Sequence, residues 1–272
     1  MSVGPARWLG LGLLVAALAG CGGGGSVRVD SDGPGGQINA EAIPDAVPRS
    51  EPRSKYGNPT SYEVFGRRYY VMDSAAGYSE RGIASWYGSK FHGRRTSSGE
   101  PYDMYQMTAA HKSLPLPTYV RVTNLRNGRS VIVKVNDRGP FHDNRIIDLS
   151  YAAATKLDIL KEGTGLVEVT AIDPRRPEPA RPQLVSAPAA GAPSGADMYI
   201  QVGAFASRQN AELFQSRLNS HSLGQVTIQE GRGTGGVVYR VRIGPLAGVD
   251  AADRTVQGLE RLGLDDFRIV VD

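Results

Sequence analysis

Residues 119–136 hold the stretch on which the fold turns: Tyr119-Val120-Arg121-Val122-Thr123-Asn124, a break containing Asn127-Gly128, then Ser130-Val131-Ile132-Val133-Lys134-Val135-Asn136. Apolar and polar residues alternate in both runs, with the period of a strand that has one face buried. Asn-Gly tolerates the positive φ of a tight hairpin turn. Leu166-Val167-Glu168-Val169-Thr170-Ala171-Ile172 alternates in the same way. One helix is expected over Asp148–Leu157, capped by Asp148 or Ser150, with Ala152, Ala153 and Leu157 turned inward. Short strands separated by turn signals predict a small β-barrel over residues 61–173.

A second folded unit is expected over residues 197–272, and it repeats internally. Val202-Gly203-Ala204-Phe205-Ala206 matches Ile243-Gly244-Pro245-Leu246-Ala247 at an offset of 41 (243 − 202), and Ala211 and Leu218 fall on Ala252 and Leu259. Each half reads strand, helix, strand: 199–203, 208–220 and 226–230, then 237–243, 250–262 and 267–271. The sum is a small α+β unit, βαββαβ, of the ferredoxin- or RNP-like type, with helices on one sheet face. Alternation then leaves Gln201, Arg240 and Arg242 on the other face. The offset pairs Gln201 with Arg242 on the two central strands. Such a face, with amide and guanidinium donors, suits a ligand bearing hydroxyls, amides and carboxylates, or is an ordinary solvated face. The aromatic pattern of an RNA-binding sheet is absent.

Between the units, residues 174–196 are rich in Pro and Ala and form a linker. Residues 21–60, rich in Gly, Pro, Ser and charge, read as a tether. Before them, Arg7 and the uncharged run Trp8–Ala19 have the layout of a secretory signal over residues 1–20. Leu18-Ala19-Gly20-Cys21 resembles the bacterial lipobox, in which the thiol carries a diacylglycerol. Cys21 is the single cysteine, which fits lipidation, and Gly22 after it implies sorting to the outer membrane, facing the periplasm. The net charge of +4 comes without a basic block, which argues against nucleic acid. There is no nucleotide-binding glycine loop and no Cys/His cluster with zinc spacing, so no cofactor or metal is expected.

Titratable groups gather in three polar segments, residues 91–103, 108–117 and 135–141, around Glu100, His111 and Asp137. Asp137 follows an alternating strand and precedes Arg-Gly-Pro, so a turn could aim its carboxylate into a site. Each also has a plain reading: a turn cap or partner of Arg138, a solvated loop charge, a satisfied structural histidine.

Taken together, Gly82-Ile83-Ala84-Ser85-Trp86-Tyr87-Gly88, FHGRRTSSGEPYDM (91–104), MTAAHKSLPLP (107–117), YVRVTNLRNGRSVIVKVNDRGPFH (119–142) and RIIDLSYAAA (145–154) resemble the rare lipoprotein A family. The resemblance implies a double-psi β-barrel followed by a SPOR domain that binds peptidoglycan glycan stripped of stem peptides. It implies a lytic transglycosylase that cuts denuded strands to 1,6-anhydromuramoyl ends, enriched at the septum, with glycan strands, the membrane and divisome proteins as partners. Ser98 and Tyr102 depart from the family's usual Ala and Phe without removing a titratable group. The work falls on Glu100, His111 and Asp137, with Asp137 as acid/base and Glu100 and His111 positioning and stabilising charge. Glu100 is the neighbour expected to raise the pKa of Asp137, or the two exchange roles. The alternative is a non-catalytic septal scaffold lipoprotein that binds glycan without cutting it.

Overall fold

The computed structural model describes residues 1, 33, 36, 38–142, 144–176, 197–233 and 235–272. The signal segment, Cys21 and most of the 174–196 linker lie outside the described residues.

A two-stranded hairpin, β1 (Ser61–Val64) and β2 (Arg67–Tyr70), precedes the barrel. Six strands then close on themselves: β3 (Ser79–Tyr87), β4 (Thr108–His111), β5 (Thr118–Asn124), β6 (Ser130–Asp137), β7 (Arg145–Ser150) and β8 (Thr164–Ala171), in the order β3-β7-β4-β6-β5-β8. The pairs β3–β7 and β4–β6 are parallel, and the remaining four are antiparallel. This is the double-psi β-barrel. The hairpin expected from residues 119–136 is β5–β6, in register from Thr118↔Val135 to Thr123↔Ser130. Its valines at 120, 122, 131, 133 and 135 fill the barrel interior with Ile147, Leu149, Val167 and Val169. Full burial of each such side chain stabilises by about 1.5–3 kcal/mol. A closed barrel also leaves no bare strand edge for another chain to pair with.

The helix α1 (Tyr151–Leu157) is shorter than expected. Ser150 caps it, accepting from Ala153 N, while Asp148 remains in β7 with a different task.

The tether expected over residues 21–60 is corrected for its described residues: Gly33 O accepts from Ser89 N and Gly36 O from Tyr151 OH, and the chain stays on the barrel from residue 38 onward. That segment is a strap packed on the barrel. Ile38, Ile43 and Ala46 lie against the barrel core. Ala46 N donates to Ile132 O, Asp45 Oδ2 accepts from Ile132 N, and Asp45 Oδ1 meets Lys156 Nζ at 2.7 Å. Further along, Ser54 N donates to Leu116 O and Asn58 exchanges bonds with the backbone of Leu116. Loop-like composition concealed this order because the strap is held by backbone bonds and a few isolated side chains, which leave no period in the sequence.

The C-terminal module has the expected order: β9 (Met198–Phe205), α2 (Arg208–Asn219), β10 (Val226–Gly233), β11 (Gly236–Leu246), α3 (Val249–Arg261) and β12 (Arg268–Val271). Its sheet order is β10-β11-β9-β12, all antiparallel. It is a βαββαβ sandwich, the fold that the resemblance implied. Ile200, Val241 and Ile243 are buried in one cluster with Leu218, Val256 and Leu259 of the helices. Two outward residues of the barrel, the cross-strand partners Ile83 and Leu166, join that cluster. Asp253 of α3 bonds Asn144 and lies 3.5 Å from Arg145 Nη2.

Candidate functional site

A bulge in β6 sets the site. Ala109 pairs with Val135, yet Ala110 pairs with Asp137, so Asn136 is the extra residue. Side chains alternate with period two, so without the bulge Asp137 would point inward with Val133 and Val135. With it, Asp137 shares the outer face with Ala110. Ala110 is also in register with Asp148 of β7, and Asp148 with Ser85 of β3. A row therefore crosses four adjacent strands: Asp137, Ala110, Asp148, Ser85. Two strand spacings separate the carboxylate-bearing backbones, roughly 10 Å.

Each carboxylate is held differently. Asp137 Oδ1 accepts from Ser97 N at 2.7 Å, Ser97 Oγ at 2.6 Å and Arg138 N at 2.8 Å, and none of these bonds uses Oδ2. Asp148 Oδ1 accepts from Ser85 Oγ. Burial raises the pKa of Asp148, outweighing the Ser85 bond and the charges of Arg145, Lys112 and His142. At Glu100, burial pushes the same way, but bonds from Asn136 Nδ2 (2.9 Å) and Lys134 Nζ (2.8 Å) win and hold its pKa below the usual value. Lys134 also meets Glu51 of the strap at 3.3 Å.

Glu100 is thus joined to Asp137 through the 96–100 turn and Asn136 rather than directly. The raised carboxyl is Asp148, which the sequence presented as a helix cap. An isolated Asp two residues before a capping serine carries no local signal of a site. Its strand register does.

His111 ends β4 and is 3% exposed. Its Nδ1 accepts from Ser113 N (3.1 Å) and Leu114 N (3.0 Å), so Nε2 carries the proton and donates to Tyr78 OH (2.8 Å), which donates to Glu80 Oε2 (2.6 Å). Burial, with Arg138 and Lys112 adding to it, lowers its pKa to about 3. The imidazole is neutral, so it positions groups but adds no positive charge. Arg138 ties this corner together: its guanidinium donates to His111 O, Leu114 O and Gly57 O while its amide donates to Asp137. Two glycines permit the arrangement. Gly57 has φ +78°, and a Cβ there would lie 2.7 Å from Ser97 O; Gly139 has φ +138°, where side chains strain the backbone.

Two grooves lie beside chain neighbours of the row. One, about 750 Å³, is walled by the strap and by Glu100, Tyr105, Lys134 and Asn136, which precedes Asp137. The other, about 890 Å³, runs past His111, which follows Ala110, and past Lys112 and Arg145. Asn136 Oδ1, buried at the first groove, has no protein donor. An unmet buried acceptor costs about 1–3 kcal/mol, which a ligand N–H or O–H would relieve.

On the C-terminal sheet, Gln201 and Arg242 are cross-strand partners, as expected. The openness expected for them is corrected: each is 8% exposed. Asp272 bonds Arg242 at 2.6 Å, and the Tyr199 ring lies 5.8 Å from its guanidinium. Arg240 is half-buried beside Gly231. Arg268, not singled out in the sequence, completes the row by pairing with Gln201 from β12.

A double-psi barrel with two carboxylates in one outward strand row, followed by a SPOR-type sheet, has the build of a lytic transglycosylase with an added SPOR module. Family models agree: one described as lytic transglycolase matches residues 79–170, and one described as SPOR domain matches residues 194–269. The chain is 41% identical to the endolytic peptidoglycan transglycosylase RlpA of Pseudomonas aeruginosa over 89% of this chain and 85% of that protein. It is 43% identical to RlpA of Neisseria meningitidis over 78% and 83%. A solved SPOR domain of P. aeruginosa RlpA is 31% identical, covering 28% of this chain and 99% of that one, with a TM-score of 0.26. The chain belongs to the RlpA family of endolytic peptidoglycan transglycosylases.

Proposed function

We propose that this endolytic transglycosylase cuts denuded glycan strands between sugars, leaving 1,6-anhydromuramoyl ends. The observation that carries this is the strand row holding Asp137 and Asp148, whose chain neighbours Asn136 and His111 line two separate grooves: an internal cut needs strand on both sides of the scissile bond. Cleavage requires a proton for the leaving oxygen and stabilisation of an oxocarbenium-like transition state. The burial-raised Asp148 suits the proton. It protonates the glycosidic oxygen as the C1–O bond breaks, the sugar's own 6-hydroxyl attacks C1, and the hydroxyl proton returns to the carboxylate. Asp137 presents Oδ2 to the developing positive charge; Glu100 fixes Asn136 and Lys134, and His111 the 111–114 corner.

The alternative assignment, Asp137 as acid/base, rests on the same row. Asp137→Asn and Asp148→Asn distinguish them. Loss of about 100- to 10,000-fold is expected for the proton carrier, and rescue of activity at lower pH is expected for neither. Mass analysis of denuded strands after incubation with the soluble protein tests the reaction. Anhydro ends are expected, reducing ends would indicate a hydrolase, and uncut strands would favour the scaffold reading.

The same proposal places the chain in the outer membrane through a lipid on Cys21, with the SPOR module binding glycan through Gln201, Arg240 and Arg242 and enriching the protein at the septum beside divisome proteins. A Cys21→Ala chain that is still processed and retained in the outer membrane would remove the anchor from this account. Unchanged septal enrichment after deletion of residues 197–272 would move targeting elsewhere.

A further inference from the structure

We propose that the groove between the barrel and the C-terminal module is a glycan-binding site in its own right. It takes the free lactyl carboxylates of a denuded strand and carries that strand from the SPOR sheet to the carboxylate row. The inference rests on the reading of the module as a glycan binder and adds a path between the two parts.

Charge is the first argument. Among the described residues, the groove is lined by six cations, Arg67, Arg68, Arg81, Lys112, Arg145 and Arg268, and one carboxylate, Glu80. Arg81 is paired with Glu168, Arg145 with Asp253, and Arg68 lies 3.8 Å from Glu63. Among the described residues named here, six cations stand against four acids. Removing a stem peptide converts the lactyl amide into a carboxylate, so a denuded strand is a polyanion with regularly spaced charges, whereas a strand bearing peptides presents amides at those points.

Continuity is the second argument. Arg242, Gln201 and Arg268 are in register across β11, β9 and β12, and Arg268 Nη2 lies 3.5 Å from Gln201 Oε1. The polar row of the sheet therefore ends on β12, and β12 is one wall of the groove. The opposite wall is strand β2 of the hairpin, with Tyr69 and Tyr70, and the barrel segment from His111, which follows Ala110 of the carboxylate row. Exposed Tyr70 offers a ring face for a sugar. Docking of the two modules is supported by apolar packing of Ile83 and Leu166 and by the Asp253 contacts, so the groove has two fixed walls.

The test is binding of end-labelled denuded strands to the full soluble chain, with Asp137→Asn and Asp148→Asn introduced so that the probe stays whole. Short strands report the sheet row, and long strands report row plus groove. Long strands should bind roughly five- to tenfold tighter than short ones, the yield of two exposed charge pairs. Arg67→Glu with Arg68→Glu should abolish that gain and leave short-strand binding unchanged. Arg67→Gln with Arg68→Gln should reduce it, and thermal melts check that both variants fold. Chito-oligomers, which lack lactyl groups, should show no gain with length, and added salt should erase the gain for denuded strands. A length gain that persists in the Glu variant, or that chito-oligomers share, overturns the groove while leaving the module's role intact. Failure of even the short strands to bind overturns the module reading and the groove with it.

Discussion

The buried neutral state of His111 makes the barrel acid-sensitive by an amount that can be worked out. The ring is 3% exposed, and its pKa falls to about 3 in the folded state, against about 6.5 in an unfolded chain. Between those values the unfolded chain binds a proton that the folded one refuses, so stability is full above about pH 6.5 and drains as pH falls toward 3. From pH 7 to pH 5 the loss from this one group is about 2 kcal/mol, and near pH 5 it continues at about 1.4 kcal/mol per pH unit. His111→Asn isolates the effect, because an Asn carbonyl can accept from Ser113 N and Leu114 N as Nδ1 does. The variant will be weaker at neutral pH, by about 1–3 kcal/mol, for the lost bond to Tyr78. Its stability should nevertheless fall less than the wild type's, by about 2 kcal/mol, between pH 7 and pH 5. Urea unfolding at both pH values, on wild type and variant, measures this. Parallel pH profiles, or an imidazole seen by NMR to titrate near 6.5, would refute the reasoning and restore a cationic role for the ring.

Asp148→Asn should retain the fold and lose at least about 100-fold in anhydro-end formation; full activity would return the proton to Asp137. Lys134→Met should free Glu100 and Glu51, raising the pKa of both and lowering turnover, while costing no more than about 1 kcal/mol in a melt because Glu100 is nearly half exposed. Removing residues 1–54 should destabilise the barrel by roughly 2–5 kcal/mol, through lost burial of Ile38 and Ile43 and the orphaned amide of Ile132. A truncated chain melting with the full one would show the strap to be superficial.

The C-terminal module was legible almost element by element because two signals coincide there: strict alternation, and a repeat that reports the same strand twice. The β5–β6 hairpin was legible for the first reason. What escaped depends on pairing between strands distant in the chain. That Asn136 is a bulge follows only from β4 lying beside β6, and that Asp148 faces the site follows only from β7 lying beside β4. Locally, Asp148 before Ser150 and an alanine run looks like a helix start. The exposure expected for Arg242 failed for a similar reason, since the groups against it, Asp272 and Tyr199, come from 30 residues on and from the neighbouring strand β9.

The strap shortens a leash. With a lipid at Cys21 and a free chain to residue 60, the barrel could stand 40 residues (61 − 21) from the membrane, about 140 Å at full stretch. Because Gly33 O already accepts from Ser89 N of the barrel, only 12 residues (33 − 21) span the gap, whatever path they take, and the limit drops to about 40 Å. An enzyme anchored in that way would patrol only a thin shell beneath the membrane. Glycan deeper in the wall would lie beyond its grasp until the wall and the membrane were drawn together.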